Sequence, residues 1–406
     1  MKRLIRPMML SLGVAGWSVG GWAADWPQFR GPNLDQISTE TDWSAEALVP
    51  KPNILWKTDI GIGYSAPAVV GDAVYVSGYT DGKEHIRRLS AKTGEVVWTH
   101  SYEGEKVDNL NAGGPCATPT VVGDVVYTNG RAGQVCCLRT DSGEVVWVAD
   151  LLELGDIKLP EWGFASSPLL VEGKLILDAG RLVALDPQTG ETLWKADQEY
   201  KPGYGTPTPF EWRGKSYLAH LNNDGLTIVT LADGKEVAFR GVEAQFETAA
   251  TSPIVREDLV WISVGYDGIC ALLKFTGDGL EEIYENKDLR NHFDTSILRD
   301  GFLYGVNGQS NRGRTCTIVC MDFKTGEVAW EERGMGFGSM TAAGDSLIFL
   351  SDVGKLTIFP IDPQKFEATA EAEVLEGQCW TAPVLAGGTV YCRSSEGTLV
   401  AVSLRK

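Results

Sequence analysis

Side chains able to carry out catalysis are few in this sequence, and they are not grouped. The four histidines are His85, His100, His220 and His292. No two of them have the spacing of a metal site, and after residue 23 neither a G-x-S-x-G elbow nor a phosphate-binding glycine loop occurs. Asp-Gly pairs such as Asp224 and Gly225 are typical of loop turns. The sequence therefore predicts no catalytic residue and no metal ligand, while an enzymatic role stays open.

The eight cysteines do not offer obvious disulfide pairs. Cys316 and Cys320 share one face of a predicted strand about 13 Å apart, which is beyond disulfide reach. Cys136 and Cys137 are adjacent but fall in mid-strand, where neighbouring side chains point to opposite faces. We therefore interpret Cys136, Cys137 and Cys320 as small buried hydrophobic residues. The oxidation state of the cysteines stays open.

An aromatic residue lies one to five positions before seven of the eight predicted strands that begin repeating units. These residues are Tyr64, Phe164, Tyr204, Phe246, Phe293, Phe337 and Trp380. A ring of aromatic side chains suits a flat ligand, a sugar or an apolar peptide segment. The alternative is that the rings pack between neighbouring units. Residues near them in sequence that offer polar specificity are His292, Asp294, Glu161 and Trp162.

The element that must position these residues is a recurring hairpin, seen in full at Ala184 to Trp194 (ALDPQTGETLW). Copies occur at Arg88 to Trp98, Cys137 to Trp147, Cys320 to Trp330 and, degraded, Val229 to Phe239. An apolar run enters a turn, and the turn glycine provides the positive φ that a tight hairpin needs. A second run leaves the turn and ends on tryptophan. The pattern therefore predicts paired antiparallel strands.

Eight inner strands complete the repeating units. They are predicted to begin at Ser65, Ala117, Ser166, Thr206, Thr251, Thr295, Ser339 and Thr381. Their spacing of about 44 residues is typical of propeller blades. The last unit lacks an outer strand, and Asn53 to Ile60 supplies one, which closes the ring. We therefore predict an all-β, eight-bladed β-propeller of four-stranded antiparallel blades over residues 53–406, closed by its N-terminal strand.

The two faces of this propeller are expected to differ. The first and third turns of the blades are short and alike, whereas the second turns and the connections between blades are longer and more varied. The longer segments are Gly78 to His85, Leu151 to Trp162 and Gly308 to Arg314. Because variable loops on a rigid scaffold carry most binding sites, we expect a functional site on the face of the connections.

The pattern A-x-D-x-x-T-G-x-x-x-W resembles the tryptophan-docking repeat of the PQQ-type β-propeller family. Ala184, Asp186, Thr189, Gly190 and Trp194 match it in full. That family contains dehydrogenases that use pyrroloquinoline quinone (PQQ) and cofactor-free relatives such as the assembly lipoprotein BamB. The resemblance covers most of the chain, and it implies the fold without separating the two groups.

In the dehydrogenases the resemblance implies a quinone held between a tryptophan and two adjacent disulfide-bonded cysteines, with calcium on Glu, Asn and Asp. Cys136 and Cys137 stand at a different place in the repeat, and no residue here can be matched to the calcium ligands or to the catalytic Asp. We therefore expect no cofactor. PQQ with calcium is the alternative.

The first 23 residues have the pattern of a secretory signal peptide, with positive Lys2, Arg3 and Arg6 before an apolar stretch and a small-x-small site ending at Ala23. No cysteine follows that site to receive a lipid. Residues 24–52, which contain DWPQFRGPN from Asp25, are predicted to be an irregular lead-in that adds no blade.

The net charge of the chain is −18, which disfavours binding to nucleic acid and to anionic membranes. No later segment is long enough for a membrane span.

These features favour an exported, monomeric, non-catalytic binding or scaffolding module, periplasmic or secreted, whose partner is an envelope protein or a glycan. A partner strand could also add to an outer strand such as Glu95 to Trp98. The alternatives are a PQQ-dependent dehydrogenase of alcohols or sugars, and another enzyme that acts within the ring of aromatic residues at the mouth of the central channel, for instance on a glycan.

Overall fold

The computed structural model describes residues 24–104, 106 and 112–405. The strands form eight antiparallel sheets of four strands, one of which gains a fifth, short strand. The prediction of an all-β, eight-bladed propeller is therefore confirmed. The expected signal peptide, residues 1–23, lies outside the described residues. Across the described ranges, no helix is long and apolar enough to cross a membrane.

Each blade begins with its inner strand at the central channel, and we number the blades in chain order. Blade 1 comprises Ala68–Val70, Ala73–Thr80, Lys83–Ser90 and Val96–Glu103. Blade 2 comprises Thr120–Val122, Val125–Asn129, Gln134–Arg139 and Val145–Asp150. Blade 3 comprises Leu169–Val171, Lys174–Asp178, Leu182–Leu185 and Thr192–Lys195. Blade 4 comprises Thr208–Trp212, Lys215–Asn222, Gly225–Thr230 and Glu236–Gly241.

The second half of the ring repeats this arrangement. Blade 5 comprises Ile254–Arg256, Leu259–Ser263, Cys270–Phe275 and Leu280–Asn286. Blade 6 comprises Ile297–Arg299, Phe302–Asn307, Thr317–Asp322 and Val328–Arg333. Blade 7 comprises Gly338–Ala343, Ser346–Ser351, Lys355–Pro360 and Ala370–Glu373. Blade 8 comprises Val384–Ala386, Thr389–Arg393, Thr398–Ser403 and the N-terminal strand Asn53–Asp59. The loops contain the α-helix Leu151–Gly155 and the 3₁₀ turns Ala45–Leu48, Gln245–Glu247 and Ser310–Thr315.

Proline delays the start of several inner strands relative to the sequence prediction. In blade 1 the ladder begins at Ala68 rather than Ser65, directly after Pro67. In blade 2 it begins after Pro119 rather than at Ala117. Proline has no N–H to donate to a ladder, so the residues up to each proline stay outside it.

The N-terminal strand closes the ring as the sequence predicts. Asn53–Asp59 pairs antiparallel with Thr398–Ser403, from Asn53 opposite Ser403 to Asp59 opposite Thr398. This pairing gives blade 8 its outer strand, so the first and last blades become neighbours. Closure leaves no blade incomplete, so blade 8 does not expose the edge of Thr398–Ser403 that an open array would expose.

Tryptophans in the outer strands of five blades join those blades to the next one. Trp98 Nε1 donates to the Thr140 carbonyl at 3.0 Å, and Trp147 Nε1 donates to the Pro187 carbonyl at 3.0 Å. The N-terminal strand follows the same rule, since Trp56 Nε1 donates to the Ala91 carbonyl at 2.9 Å. These bonds explain why the repeat ends on tryptophan: the ring buries apolar surface between blades while its N–H finds an acceptor.

The lead-in enters the central channel and crosses it. The Trp26 N–H donates to the Val69 carbonyl of blade 1 at 2.7 Å, and the Pro27 carbonyl accepts from the Val121 N–H of blade 2 at 2.8 Å. Ile37–Ser38 then pairs in parallel with the inner strand of blade 7. The lead-in adds no blade, but it satisfies backbone groups on three inner strands that would otherwise face the channel.

All eight cysteines are free thiols in the structure. Cys136 packs in the core between blades 1 and 2, beside Trp98, whereas Cys137 packs in the core between blades 2 and 3, beside Trp147. The two side chains therefore point to opposite faces of their strand, as expected of neighbours in a β-strand.

Candidate functional site

A cavity of about 220 Å³, here called the funnel cavity, opens on the face of the blade connections. Residues directly before the inner strands of most blades line it, together with residues of second turns such as Arg131 and Tyr266. The lead-in contributes Trp26, Phe29, Arg30 and Gln36 to the same lining. The cavity therefore lies where the channel, the connections and the lead-in meet.

Four of the seven predicted aromatic residues line the funnel cavity, namely Tyr64, Tyr204, Phe293 and Trp380. Tyr64 and Trp380 are stacked with ring centres 5.7 Å apart, and Trp380 lies 5.0 Å from Phe293. Tyr64 also donates from its hydroxyl to Gln378 Oε1 at 3.3 Å, which fixes the orientation of that ring. Together these rings give the cavity rigid apolar walls.

The other three aromatic residues lie elsewhere. Phe164 and Phe337 are buried, with 3% and 1% of their surfaces exposed, in the cores between blades 2 and 3 and between blades 6 and 7. Phe164 and Phe337 therefore pack between neighbouring blades, which is the alternative stated for these aromatic residues in the sequence analysis. Phe246 is 65% exposed and touches Tyr266 edge-on, with ring centres 5.0 Å apart. Its backbone is left-handed, with φ of 57°, and its ring does not belong to the cavity lining.

Asp294 is the only carboxylate that the described residues contribute to the cavity lining. Its Oδ2 accepts from the Met340 N–H at 3.0 Å, and Arg30 of the lead-in carries the nearby positive charge. Burial raises the pKa of Asp294 to about 7 despite these two interactions. Burial also lowers the pKa of Arg30 to about 10, so Arg30 stays charged at neutral pH.

His292 is 2% exposed and stacks on Phe293, with ring centres 3.8 Å apart. Its Nδ1 accepts from the Ser310 N–H at 3.2 Å, so the ring proton belongs on Nε2. Burial lowers the pKa of His292 to about 3, and the ring is neutral at physiological pH. His292 is thus a fixed hydrogen-bond donor rather than a charge.

Arg131 provides the second positive charge in the lining. Its Nη1 donates to Cys116 Sγ, and burial raises the pKa of that thiol, which is therefore neutral. Glu84 lies nearby, but its Oε1 accepts from the Arg131 backbone N–H at 2.9 Å and its Oε2 from the Tyr102 hydroxyl at 2.8 Å. The guanidinium group therefore has a neutral thiol as its side-chain partner.

The two remaining sequence candidates have different positions. Trp162 lines the cavity and donates from Nε1 to the Phe246 carbonyl at 3.2 Å. Glu161 is exposed and does not belong to the lining. Lining residues that sequence reasoning missed are Trp26, Phe29, Arg30, Gln36, Arg131 and Tyr266. The close spacing of Trp26, Phe29 and Arg30 in the lead-in was one available signal.

The donors of the funnel cavity do not fit a calcium-bound quinone. Calcium takes about six to eight oxygen ligands, several of them carboxylates, whereas the described lining offers Asp294 alone. Within residues 24–104, 106 and 112–405, no group of three or more His, Cys, Asp and Glu side chains could hold a metal ion. The aromatic walls would accept the flat ring of a quinone. The residues of the cavity therefore fit the quinone but do not fit the calcium ion.

The known proteins that this chain resembles include both BamB proteins and quinoprotein dehydrogenases. A family model described as outer membrane protein assembly factor BamB matches residues 51–147 and 82–332. BamB of Shewanella oneidensis is 22% identical over 319 residues, which cover 75% of this chain and 67% of that protein. A quinoprotein ethanol dehydrogenase of Pseudomonas putida is 28% identical over 181 residues, or 37% of this chain. The matched part spans 27% of that dehydrogenase.

Solved structures agree on the fold. The crystal structure of BamB from Moraxella catarrhalis aligns with a TM-score of 0.60 over 86% of this chain and 98% of its own, at 16% sequence identity. At so low a sequence identity, the alignment shows that the folds are similar and says nothing about function. Because the family model covers most of the blades, the chain belongs to the PQQ-like β-propeller family whose model is described as outer membrane protein assembly factor BamB.

Proposed function

We propose that this protein is an exported, non-catalytic binding module of the cell envelope that holds its ligand in the funnel cavity. The observation that carries the proposal is the cavity itself, walled by the rings of Tyr64, Tyr204, Phe293 and Trp380 on a rigid ring of blades. A concave, largely apolar site with a few fixed polar groups is the usual form of a ligand pocket.

The chemistry of the lining supports binding rather than catalysis. The ring of His292 holds its proton on Nε2 and is neutral at physiological pH, so it donates without exchanging a proton. Asp294 is engaged by the Met340 N–H and by the charge of Arg30. General acid–base catalysis needs a group whose proton is within reach of a reacting atom and free to move. His292 is not placed in that way, and Asp294, whose pKa burial raises to about 7, is the lining group on which the enzymatic alternative depends.

The cellular setting rests on two lines of support. The first residues have the pattern of a secretory signal peptide, and the family model is described as an outer membrane protein assembly factor. We infer a location in the periplasm or outside the cell, with an envelope protein or a glycan as the partner. Its strong negative charge disfavours a partner that carries many negative charges.

Tryptophan fluorescence tests the proposal, because Trp162 and Trp380 both line the cavity. The purified protein is titrated with a glycan panel and with envelope proteins, alongside the double variant Tyr204→Ala and Trp380→Ala. We expect a saturable change that the double variant loses. The control is Phe239→Ala, which removes an aromatic ring that is 51% exposed on the outer strand of blade 4. Equal binding by the double variant would place the ligand elsewhere.

A PQQ-dependent dehydrogenase is the second candidate. It is favoured by the flat aromatic walls and by the similarity to quinoprotein ethanol dehydrogenase. Against it stands the single carboxylate of the lining, which is too few donors for calcium. Binding of PQQ with calcium, together with oxidation of alcohols or sugars, would establish this candidate.

A further inference from the structure

Three side chains that line the funnel cavity each carry an N–H group with no acceptor among the described residues. The groups are Arg30 Nε, Arg131 Nε and His292 Nε2. All three residues are nearly buried, with 5%, 5% and 2% of their surfaces exposed. Buried donors normally have partners, so three unpartnered donors in the walls of one cavity leave hydrogen-bonding capacity that a ligand rich in acceptors would satisfy.

Arg131 is the best placed of the three to meet a negative charge. Its side chain pairs with the neutral thiol of Cys116, while Glu84 is occupied by a backbone N–H and by Tyr102. A guanidinium group binds a carboxylate through two parallel bonds, which is a match that neither a thiol nor a water molecule supplies. The group therefore retains its capacity for an anion from the cavity.

Aromatic walls flank the guanidinium group. Burial raises the pKa of Tyr64 and of Tyr204, and the positive charge of Arg131 opposes that rise at both residues. The guanidinium group of Arg131 therefore lies near both hydroxyl groups. Trp380 stacks on Tyr64 and extends the same wall. A ring-shaped ligand can thus lie against aromatic faces while a substituent on that ring reaches Arg131.

On the opposite side of the lining, Asp294 is a hydrogen-bond acceptor and His292 Nε2 is a donor. A hydroxyl group can both donate and accept, so paired donors and acceptors suit a polyhydroxylated ring better than a purely apolar one. The cavity of about 220 Å³ is smaller than the range of about 300–1,000 Å³ typical of pockets for larger ligands. One ring fits this space better than a long chain.

We propose that the funnel cavity binds a sugar ring that carries a carboxylate, with the carboxylate on Arg131, the ring face on Tyr64, Tyr204 and Trp380, and hydroxyls on Asp294 and His292. This inference rests on the proposed function, because it names the ligand class of the same cavity. The net charge of −18 opposes polyanions, so the ligand is a single acidic sugar or the acidic end of a neutral glycan.

Calorimetric titration of the purified protein with glucuronate, glucose and glucose 6-sulfate tests this inference. We expect glucuronate to bind about tenfold or more tightly than glucose, because a charge-assisted bond to Arg131 is added. We expect glucose 6-sulfate to bind more weakly than glucuronate. Equal affinity for glucuronate and glucose would overturn the inference without any variant. Binding of the sulfate as tight as that of glucuronate would overturn the assignment of a carboxylate.

Variants test whether the preference for glucuronate over glucose depends on Arg131. Arg131→Gln is expected to abolish the advantage of glucuronate over glucose, so that the ratio of the two affinities falls to about one. Arg333→Gln, whose side chain is 81% exposed on blade 6, is the matched control and is expected to keep the advantage. A preference that survives Arg131→Gln would contradict the inference. If no sugar binds while another ligand is lost in the Tyr204→Ala and Trp380→Ala variant, the ligand class is wrong and the proposed function stands.

Discussion

The indole ring of Trp98 in blade 1 lies against Gly143 in the hairpin turn of blade 2. A Cβ atom added to Gly143 would stand 2.7 Å from Trp98 Cε3, closer than any real contact allows. The same relationship joins Trp147 to Gly190, where the distance would be 2.8 Å. The turn glycine is therefore required twice, once for its positive φ and once for the tryptophan of the preceding blade.

We expect Gly143→Ala to destabilise the protein more than Gly173→Ala. The two glycines have φ of +73° and +72°, so the backbone strain is matched at about 1–2 kcal/mol. No atom lies within 4 Å of a Cβ at Gly173. The clash with Trp98 adds about 1–3 kcal/mol to the cost of Gly143→Ala alone. Urea unfolding of both variants measures the difference, and equal midpoints would show that the contact with Trp98 contributes nothing.

Removal of the N-terminal strand is expected to unfold the propeller. A chain beginning at Asn53 keeps the outer strand of blade 8, whereas one beginning at Gly61 leaves one edge of Thr398–Ser403 without a partner and the ring open. We expect the longer chain to show a cooperative thermal transition by circular dichroism and the shorter chain to lack one. A cooperative transition in the chain that begins at Gly61 would refute closure by this strand.

The hairpin Ala184 to Trp194 with its copies, together with the eight inner-strand starts, was sufficient to predict the number of blades. The closure followed from the strand Asn53 to Ile60, which supplies the outer strand that the last unit lacks. The path of the lead-in was not predictable in the same way. Its contacts, such as the bond from the Trp26 N–H to the Val69 carbonyl, are made by backbone groups and leave no periodic pattern in the sequence.

The aromatic residues before the inner strands show a second limit. Tyr204 and Phe164 occupy the same place in their repeats, yet Tyr204 lines the funnel cavity and Phe164 is buried between blades. Sequence position could not separate them, since the direction of each ring depends on the length and backbone of the connection before it. Arg131 was missed for a related reason: its role depends on neighbours from other segments.

Substitution of these aromatic residues is expected to divide them into two groups. Phe164→Ala and Phe337→Ala each remove a buried ring and should cost about 3–5 kcal/mol of unfolding free energy. Tyr204→Ala should cost clearly less, because its ring borders an open cavity. Differential scanning calorimetry of the three variants provides the comparison. A loss at Tyr204 as large as that at Phe164 would support a packing role for all of them.

Asp294 should make stability depend on pH. Burial raises its pKa to about 7 in the folded protein, against about 3.9 when unfolded, so the folded state binds the proton more tightly. Its contribution is greatest below the unfolded pKa and is lost as pH rises from about 4 to about 7. Asp294→Asn should remove this dependence while remaining neutral. Unfolding free energies measured between pH 4 and pH 8 test this, and identical pH profiles for both proteins would contradict it.

The most direct test of a non-catalytic binding site is calorimetry of the purified protein with PQQ and calcium, followed by a dye-linked oxidation assay with alcohols and aldoses. We predict no stoichiometric binding of PQQ with calcium and no turnover, because the cavity lining supplies one carboxylate where calcium needs several. Tight binding at one equivalent, accompanied by oxidation of an alcohol or a sugar, would contradict that account and make the protein a quinoprotein.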